Sequence, residues 1–434
     1  MRLAALLVLA VIVLMSAEVF CGGKSTATTS RTTTRKSNKK SRSLKSFLFM
    51  ADDVASKLDQ KWIYEQCKTS NRKQPYFLRE TEFPCKPADG ISRSQKRPFS
   101  VHKLRPGDVD VIAAMGDSLV AGNGAMEDYA LGAFIESRGV SWAAGGDSTW
   151  HEYLTLPNII KVFNPRVTGY SFGKAEFLTP TTALNVAFPV SADQDALSQA
   201  KSLVHKMKLT PEVDFQNDWK LVTMFFGAND ICSGQCYNKE YFGPRAHALK
   251  LMKALDYLHD NLPRTLVNLV PVLDVSVSVR IRRSLVCRML HTLFCSCFHR
   301  AGNVMAEITS ITREYQQEER NLISSGRYNR KEDFTVVIQP FMTFFNAPRN
   351  YSEETQRKEV IDISYITHDC FHFSQKGHAL AANLLWNNML EPIKDKSHAS
   401  IDYPFQKIYC PTVHNPYFFT YNNSVRFYQT GSQL

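Results

Sequence analysis

The sequence predicts a three-layer α/β/α sandwich built around a mostly parallel β-sheet. Four apolar runs rich in β-branched residues occupy positions 109–115, 221–226, 266–272 and 334–338. Their near-continuous hydrophobicity is typical of strands that are covered on both faces. Amphipathic stretches lie between them, and strands that alternate with helices favour a parallel sheet with helices on either side.

Three stretches, two between the apolar runs and one after the last of them, predict helices with one apolar face. Residues 191–207 and 377–393 are amphipathic, and the second stretch ends at a proline and a charged run. Between them, leucines recur at i, i+4, i+7 and i+11, which places them on one side of a helix. These leucines are Leu251, Leu255, Leu258 and Leu262.

The amino-terminal residues predict export rather than folded structure. In residues 1–22, Arg2 precedes an apolar core at 3–15, and small residues follow, as in a secretory signal peptide. A signal anchor is the alternative, although the apolar run is short for a membrane span. The polar carboxyl-terminal residues predict no lipid or membrane anchor there, so we expect a secreted protein.

Residues 23–46 predict a basic, disordered linker. This segment holds eight Lys and Arg residues and no acid, which accounts for most of the net charge of +11. A tether to anionic lipid or glycan surfaces is the alternative function of this segment. The basic residues lack interleaved aromatics, so the sequence does not favour nucleic-acid binding.

The remaining chain divides into three parts. We expect an amino-terminal extension at 47–104, a main domain at 105–400 and a carboxyl-terminal extension at 401–434 that packs on it.

There are ten cysteines, one of them within the signal. Export makes disulfides the expected state of the other nine. Because nine is odd, either one thiol is free or Cys21 is retained.

A reactive serine is predicted at the end of the first strand. Gly116-Asp117-Ser118-Leu119 follows the run at 109–115, and a tight turn there would direct the Ser118 hydroxyl outward. A serine nucleophile needs a general base, and a histidine base needs an acceptor on its other nitrogen. His372 and Asp369, in one loop, fit these two needs, and Asn229 after the second strand can donate to an oxyanion.

Each of these residues has an ordinary structural alternative. The Gly-Asp-Ser turn and the Asn229-Asp230 pair suit loops and strand-to-helix turns. Asp369 with His372 suits a helix cap beside a surface histidine. The combination is more specific than its parts, because the residues follow in the order of a serine hydrolase and fall at the strand ends where α/β sheets bind ligands.

Longer segments around these residues resemble one family. They read LRPGDVDVIAAMGDSLVAGNGA, GVSWAAGGD, LTLPNIIKVFNP, FFGANDIC, DCFHFSQKGHALAANLLWNNMLEPI and CPTVHNPYFFTYNNS, within about residues 100–424. The chain resembles the GDSL, or SGNH, hydrolases and most closely their animal phospholipase B branch. The resemblance implies a flavodoxin-like α/β/α fold and hydrolysis of acyl esters of phospholipids and lysophospholipids, with neither metal nor cofactor.

The resemblance also implies roles for individual residues. Ser118 would be the nucleophile, and Asp369 and His372 would complete the triad. The backbone N–H of Ser118 and the amide of Asn229 would form the oxyanion hole. The family's third donor is usually a glycine in a stretch like Asn-x-Ala-x-Pro-Gly-Ala, where this chain has Val190. A β-branched residue is strongly disfavoured at positive φ, so either Val190 is strained or the loop moves and a donor is lost.

Several other residues have possible roles. Cys287, His291, Cys295, Cys297 and His299 suggest zinc ligands superficially, but disulfides within this cluster and a local Cys232–Cys236 bridge are favoured in an exported chain.

His378 is expected to be structural and Asp117 to be a turn residue. Asn350 and Asn422 begin glycosylation sequons.

Aromatic residues near the carboxyl terminus have two interpretations. Tyr417, Phe418 and Phe419 are expected to pack on the main domain, with transient contact at a lipid interface as the alternative. The favoured function is a secreted, monomeric phospholipase B-like serine acylhydrolase with phospholipid or lysophospholipid substrates. A general esterase and a lipid-binding protein that has lost catalysis are the alternatives, the second suggested by Val190.

Overall fold

The computed structural model of the chain describes residues 69–87, 91–280, 285–299, 304–346, 362–396 and 403–434. The predicted signal at 1–22, the basic linker at 23–46 and the sequon at Asn350 lie outside these residues. Cys21 and Cys67 lie outside them as well.

Four parallel strands form one sheet in the order β1-β2-β3-β4. They are β1 (Val111–Gly116), β2 (Lys220–Phe225), β3 (Thr265–Leu269) and β4 (Phe334–Ile338). All four predicted runs therefore form strands. The third ends at Leu269 rather than 272, because Pro271 has no N–H to continue the ladder.

The outer edge of β1 is covered by two short pieces of chain. Isolated parallel bridges join Val111 to Thr168 and Ala114 to Asn185. The second is held by the Val186 N–H, which donates to the Ala114 carbonyl over 2.9 Å. This pairing brings the chain beyond residue 185 alongside the carboxyl end of β1.

Nine helices are present in the described part of the chain. They are α1 (Ser118–Ala121), α2 (Leu156–Phe163), α3 (Ala196–Leu209), α4 (Pro244–Asn261), α5 (Ser276–Arg280), α6 (Leu285–Phe294), α7 (Val304–Ser324), α8 (Gln375–Met389) and α9 (Tyr421–Thr430). A π-helical turn spans Asp230–Gly234. Short 3₁₀ turns occur at Thr69–Arg72, Val101–Lys103, Pro106–Asp108, Ala130–Phe134, Arg138–Val140, Pro180–Thr182, Asp193–Asp195, Ser296–His299, Pro340–Phe345 and Ile363–Tyr365.

Alternation along the strands sends side chains into two separate cores. Ile112 and Ala114 pack in a core that includes residues of α2 and α8. Val111 and Met115, one position out of phase, pack with residues of α3 and α4 on the other face. The predicted three-layer α/β/α sandwich is confirmed, with β1 buried between the two helical layers.

The predicted helices are present with shifted ends. The stretch 191–207 becomes a 3₁₀ turn followed by α3, which runs to Leu209. The leucine face is buried in α4, although Leu262 follows the last helical residue. The stretch 377–393 starts earlier, because the Ser374 hydroxyl accepts from the Gly377 N–H and caps α8.

The two extensions are joined to each other and to the sheet domain. A disulfide links Cys85 to Cys410 across 325 residues of sequence. Phe418 is 1 % exposed and packs against Trp386 of α8, with ring centroids 6.1 Å apart. Tyr417 and Phe419 are also buried. The side chains of this aromatic segment are therefore buried, and Phe418 contacts the main domain.

Within the described residues, no helix combines the length and apolar character needed to cross a bilayer. Asn422, the second predicted glycosylation position, is exposed in the first turn of α9. Its amide donates to His102 Nε2 over 2.9 Å and to the Asn329 carbonyl over 3.2 Å.

Candidate active site

Ser118 lies at the carboxyl end of β1, where the chain turns sharply into α1. A Cβ added to Gly116 would lie 2.5 Å from the Phe225 carbonyl oxygen, so only glycine fits where β1 and β2 end together. The Asp117 carboxylate then accepts from the Leu119 N–H over 2.9 Å and caps α1. Ser118 is consequently the first residue of α1, with its side chain at the sheet edge.

The Asp117 carboxyl group is buried within the turn that it caps. Burial raises the pKa of its carboxyl group to about 7. Its second oxygen has no hydrogen-bond partner among the described residues. This agrees with the expectation that Asp117 is a turn residue, held within the turn that presents Ser118.

The loop before α8 brings His372 to the Ser118 hydroxyl. The Nε2 atom of His372 lies 2.8 Å from Ser118 Oγ, and its Nδ1 atom is hydrogen-bonded to Asp369 Oδ2. Because the carboxylate can only accept, Nδ1 carries the proton and Nε2 is free to accept from the serine. The three predicted residues therefore form a continuous hydrogen-bonded chain.

Asp369 is fixed by its own loop. Its Oδ1 atom accepts from the backbone N–H groups of Phe371 at 2.9 Å and His372 at 3.1 Å, and from the Thr367 hydroxyl. Burial alone would raise the pKa of Asp369, but His372 and these donors hold it well below its ordinary value. The carboxylate is thus kept ionised where it orients the imidazole.

A disulfide anchors the same loop from outside. Cys370, between Asp369 and His372, has φ of 62° and is bonded to Cys287 of α6. Two more disulfides, Cys232–Cys295 and Cys236–Cys297, join the segment after Asn229 to the segment after α6. The described cysteines include no free thiol.

The predicted pairing of these cysteines was wrong. Neither a Cys232–Cys236 bridge nor a disulfide within the 287–297 cluster forms. Residues four apart on a helical turn have Cβ atoms about 5–6 Å apart, whereas a disulfide needs about 3.5–4.5 Å. Cys232, within the π-helical turn, and Cys236, just after it, instead pair with Cys295 and Cys297. The sulfurs suggested as zinc ligands are all in disulfides.

Asn229 follows β2 and reaches the segment that covers β1. Its side-chain N–H donates to the Ser191 carbonyl over 2.8 Å. An amide has two N–H groups, and no acceptor within the described residues takes the second. One of the two donors therefore fixes the side chain, and the other is available to a ligand at the sheet edge.

Val190 adopts the conformation that a glycine would favour. Its φ is 61°, and its side chain is 65 % exposed. The segment around it is held to β1, because the Phe188 N–H donates to the Gly116 carbonyl over 3.1 Å. Of the two outcomes considered for this residue, a strained valine is therefore the one found.

A buried group of charges lies behind Asn229 and was not predicted. His247 of α4 is hydrogen-bonded at Nδ1 to Asp193 over 3.2 Å and at Nε2 to Glu319 over 3.1 Å. Lys250 lies 2.7 Å from Asp193, and Asp230 accepts from the Asp193 N–H over 3.0 Å. We refer to these five residues as the buried charge cluster. It joins the segments that carry Val190 and Asn229.

The buried charge cluster contains its own cations. Burial alone would lower the pKa of His247, but hydrogen bonds to Asp193 and Glu319 raise it to about 9. Burial and the Asp193 charge raise the pKa of Asp230 to about 8. Ligand atoms of Asp193, Asp230 and His247 lie within 4.8 Å of one another, the spacing of a metal site. Protonated His247 and Lys250 already supply the positive charge there.

His378 is structural, as expected. It is buried in α8, and its Nδ1 accepts from the Trp142 N–H over 3.2 Å. Burial lowers its pKa to about 3, so the ring is neutral and suited to accept. It takes no part in the chain of hydrogen bonds through His372.

Comparison with known proteins places the chain in a family. The model of the family described as GDSL-like Lipase/Acylhydrolase matches residues 112–385, which include β2 to β4, β1 from its second residue, and every residue of the Ser118–His372–Asp369 chain. The chain belongs to this family. The predicted resemblance to GDSL hydrolases is confirmed.

Curated relatives include proteins named "Phospholipase B1, membrane-associated". The rat protein is 39 % identical over 337 residues, and the human protein is 38 % identical over 338 residues. The mouse protein is 36 % identical over 345 residues. These alignments cover 76–78 % of this chain but only 23 % of each relative, so the chain spans about a quarter of their length.

Substitution of Val190 tests whether its backbone is strained. Valine at positive φ costs about 1–3 kcal/mol, and glycine adopts this conformation freely. Val190→Gly should therefore raise the free energy of unfolding by about 1 kcal/mol in urea titrations. Val413 is also exposed but has no positive φ, so Val413→Gly should lower it by about 0.5–1 kcal/mol. Equal losses in both variants would contradict a strained Val190.

Stability should depend on pH through His247. Its pKa is raised from 6.5 to about 9, so its stabilising contribution is complete below about pH 6.5 and is lost as pH rises through 9. The difference in unfolding free energy between wild type and His247→Gln, on the order of 1–3 kcal/mol at pH 6, should shrink towards pH 9.5.

A histidine outside the buried charge cluster provides the control for that experiment. His205 on α3 is exposed and makes none of these contacts. His205→Gln should keep the pH dependence of wild type. If His247→Gln also keeps it, protonated His247 does not stabilise the fold.

Proposed function

We propose that this GDSL hydrolase is a serine acylhydrolase that cleaves acyl esters of phospholipids and lysophospholipids. The proposal is carried by one observation, the 2.8 Å contact between Ser118 Oγ and a His372 ring whose other nitrogen faces Asp369. A serine, a base and an orienting carboxylate in this order are the requirements for nucleophilic acyl transfer.

In the first half of the reaction, Ser118 becomes acylated. Its oxygen attacks the ester carbonyl carbon while His372 Nε2 takes the hydroxyl proton. The tetrahedral intermediate then collapses: the ester C–O bond breaks, and the imidazolium returns its proton to the departing alkoxide. A phospholipid substrate releases a lysophospholipid as the alcohol, and a lysophospholipid substrate releases a glycerophosphodiester.

In the second half, water replaces the alcohol. His372 removes a proton from water as the resulting hydroxide adds to the acyl-Ser118 carbonyl. Collapse of the second intermediate releases the fatty acid and returns the proton to Ser118. In both halves the oxyanion would be stabilised by the backbone N–H groups of Ser118 and Val190 and by the free N–H of Asn229.

The lipid part of the proposal rests on two kinds of support. The relatives at 36–39 % identity are named phospholipases. Apolar side chains also stand exposed beside the site: Phe188, which is hydrogen-bonded through its N–H to Gly116, is 44 % exposed, and Val190 is 65 % exposed. Acyl chains gain free energy by covering such surface.

We also propose that the protein is exported and acts as a monomer. The sequence of residues 1–22 and the four disulfides among the described residues suit an oxidising compartment. Glycans at Asn350 and Asn422 are part of the same proposal. The general esterase and the inactive lipid-binding protein are the alternatives that kinetics must separate.

Hydrolysis should depend on Ser118 and favour lipids. Ser118→Ala should reduce kcat/KM by about a thousandfold or more on phosphatidylcholine, lysophosphatidylcholine and a short-chain ester, because it removes the hydroxyl that would form the acyl-enzyme. Fatty acid release measured by titration should be fastest with one of the two lipids.

Ser198→Ala is the matched control, since Ser198 is an exposed serine on α3 whose hydroxyl donates to the Asp195 carbonyl over 2.8 Å. It should retain wild-type rates. Equal residual rates for wild type and Ser118→Ala would exclude Ser118 as the nucleophile. Ser118-dependent cleavage of the short-chain ester alone would favour the general esterase.

A further inference from the structure

Gln199, a buried side chain of α3, contacts the two segments that border the Ser118 hydroxyl. Its Oε1 accepts from the Gly116 N–H over 2.8 Å, and its Nε2 donates to the Gly116 carbonyl over 2.8 Å. The second N–H of the same amide donates to Ser191 Oγ over 2.9 Å. Gln199 is 5 % exposed, so these bonds are shielded from water.

These contacts use the oxygen and both N–H groups of the Gln199 amide. Gly116 presents its backbone N–H as a donor and its carbonyl as an acceptor to Gln199, and Ser191 Oγ is a second acceptor. A carboxylate would lack both donors, and an apolar side chain of the same length would leave the buried Gly116 N–H and Ser191 Oγ without this partner. The orientation of the Gln199 amide is therefore fixed by its partners.

Each candidate oxyanion donor lies close in sequence to a residue that Gln199 contacts, or is hydrogen-bonded to such a residue. Ser118 is two residues beyond Gly116 in the tight turn that ends β1. Val190 directly precedes Ser191, whose carbonyl accepts from the Asn229 amide over 2.8 Å. Gln199 thus connects the segments that carry all three donors, although it reaches none of those donors itself.

We propose that Gln199 is a positioning residue that fixes the relative placement of the Ser118, Val190 and Asn229 donors. The inference rests on the proposed function, since it concerns the oxyanion hole of the same site. The need for such a residue follows from Val190, whose φ of 61° persists only if neighbouring contacts enforce it. The bond from Gln199 to Ser191 is one of these contacts.

Gln199→Met tests the proposal because methionine keeps the length and loses the hydrogen bonds. Oxyanion donors act on the transition state more than on bound substrate. The variant should therefore lose roughly 10- to 100-fold in kcat, with KM within about twofold of wild type. A purely structural role would instead lower thermal stability while the folded fraction kept its kcat.

A double variant separates action through the oxyanion hole from a general loss. If Gln199 acts by placing the Asn229 donor, Gln199→Met should cost clearly less kcat when Asn229→Ala is already present. Gln317→Met is the matched control, because Gln317 is an exposed glutamine on α7. It should leave both kcat and KM unchanged.

Ser191→Ala provides a milder variant should Gln199→Met fail to fold. It removes the Oγ acceptor alone and retains both bonds to Gly116, so kcat should fall severalfold without a change in KM. Wild-type kcat in folded Gln199→Met, or in Ser191→Ala if only that variant folds, would overturn the proposal. So would full additivity of Gln199→Met with Asn229→Ala.

The failure of this inference can be told from that of the proposed function. If wild-type hydrolysis depends on Ser118 but not on Gln199, only the positioning role is wrong. If wild type has no Ser118-dependent hydrolysis, the proposed function is wrong and the positioning role falls with it.

Discussion

The parallel register of β1 and β2 brings the candidate site together. Gly116 pairs with Phe225 at the last position of both strands, so the turns that follow leave the sheet at the same height. Ser118 and Asn229 follow within a few residues, and the contact between the two strands admits only a hydrogen atom at position 116. A substituent there would separate the strands where the two turns must meet.

Two residues near this edge have strained backbone conformations that tertiary contacts maintain. Val190 and Cys370 both have positive φ, in the segments that present the candidate donor and the candidate base. Cys370 is held by a disulfide to α6, and the Val190 segment by Gly116 and Gln199. The buried charge cluster adds ion pairs at Asp193, three residues after Val190. Rigid placement of donors matters because transition-state stabilisation falls steeply with displacement.

The sheet and the catalytic candidates were predictable because their signals are local. Buried strands read as apolar runs, and polar residues directly after them fall at one sheet edge. Gln199 had a weak signal: it is a polar residue on the apolar face shared by Ala196, Ala200 and Leu203. The disulfides could not be predicted, since partners such as Cys287 and Cys370 are 83 residues apart and depend on how α6 packs. The partners of Asp193 and His247 depend in the same way on tertiary placement.

We infer that His372 makes Ser118 the nucleophile of this GDSL hydrolase. Mass spectrometry after reaction with a fluorophosphonate tests it directly, because the reagent forms a covalent bond with a serine activated by a base. We expect one adduct, on Ser118, and labelling at least about a hundredfold slower in folded His372→Gln protein. An adduct on another serine, or equally fast labelling of Ser118 without His372, would contradict it.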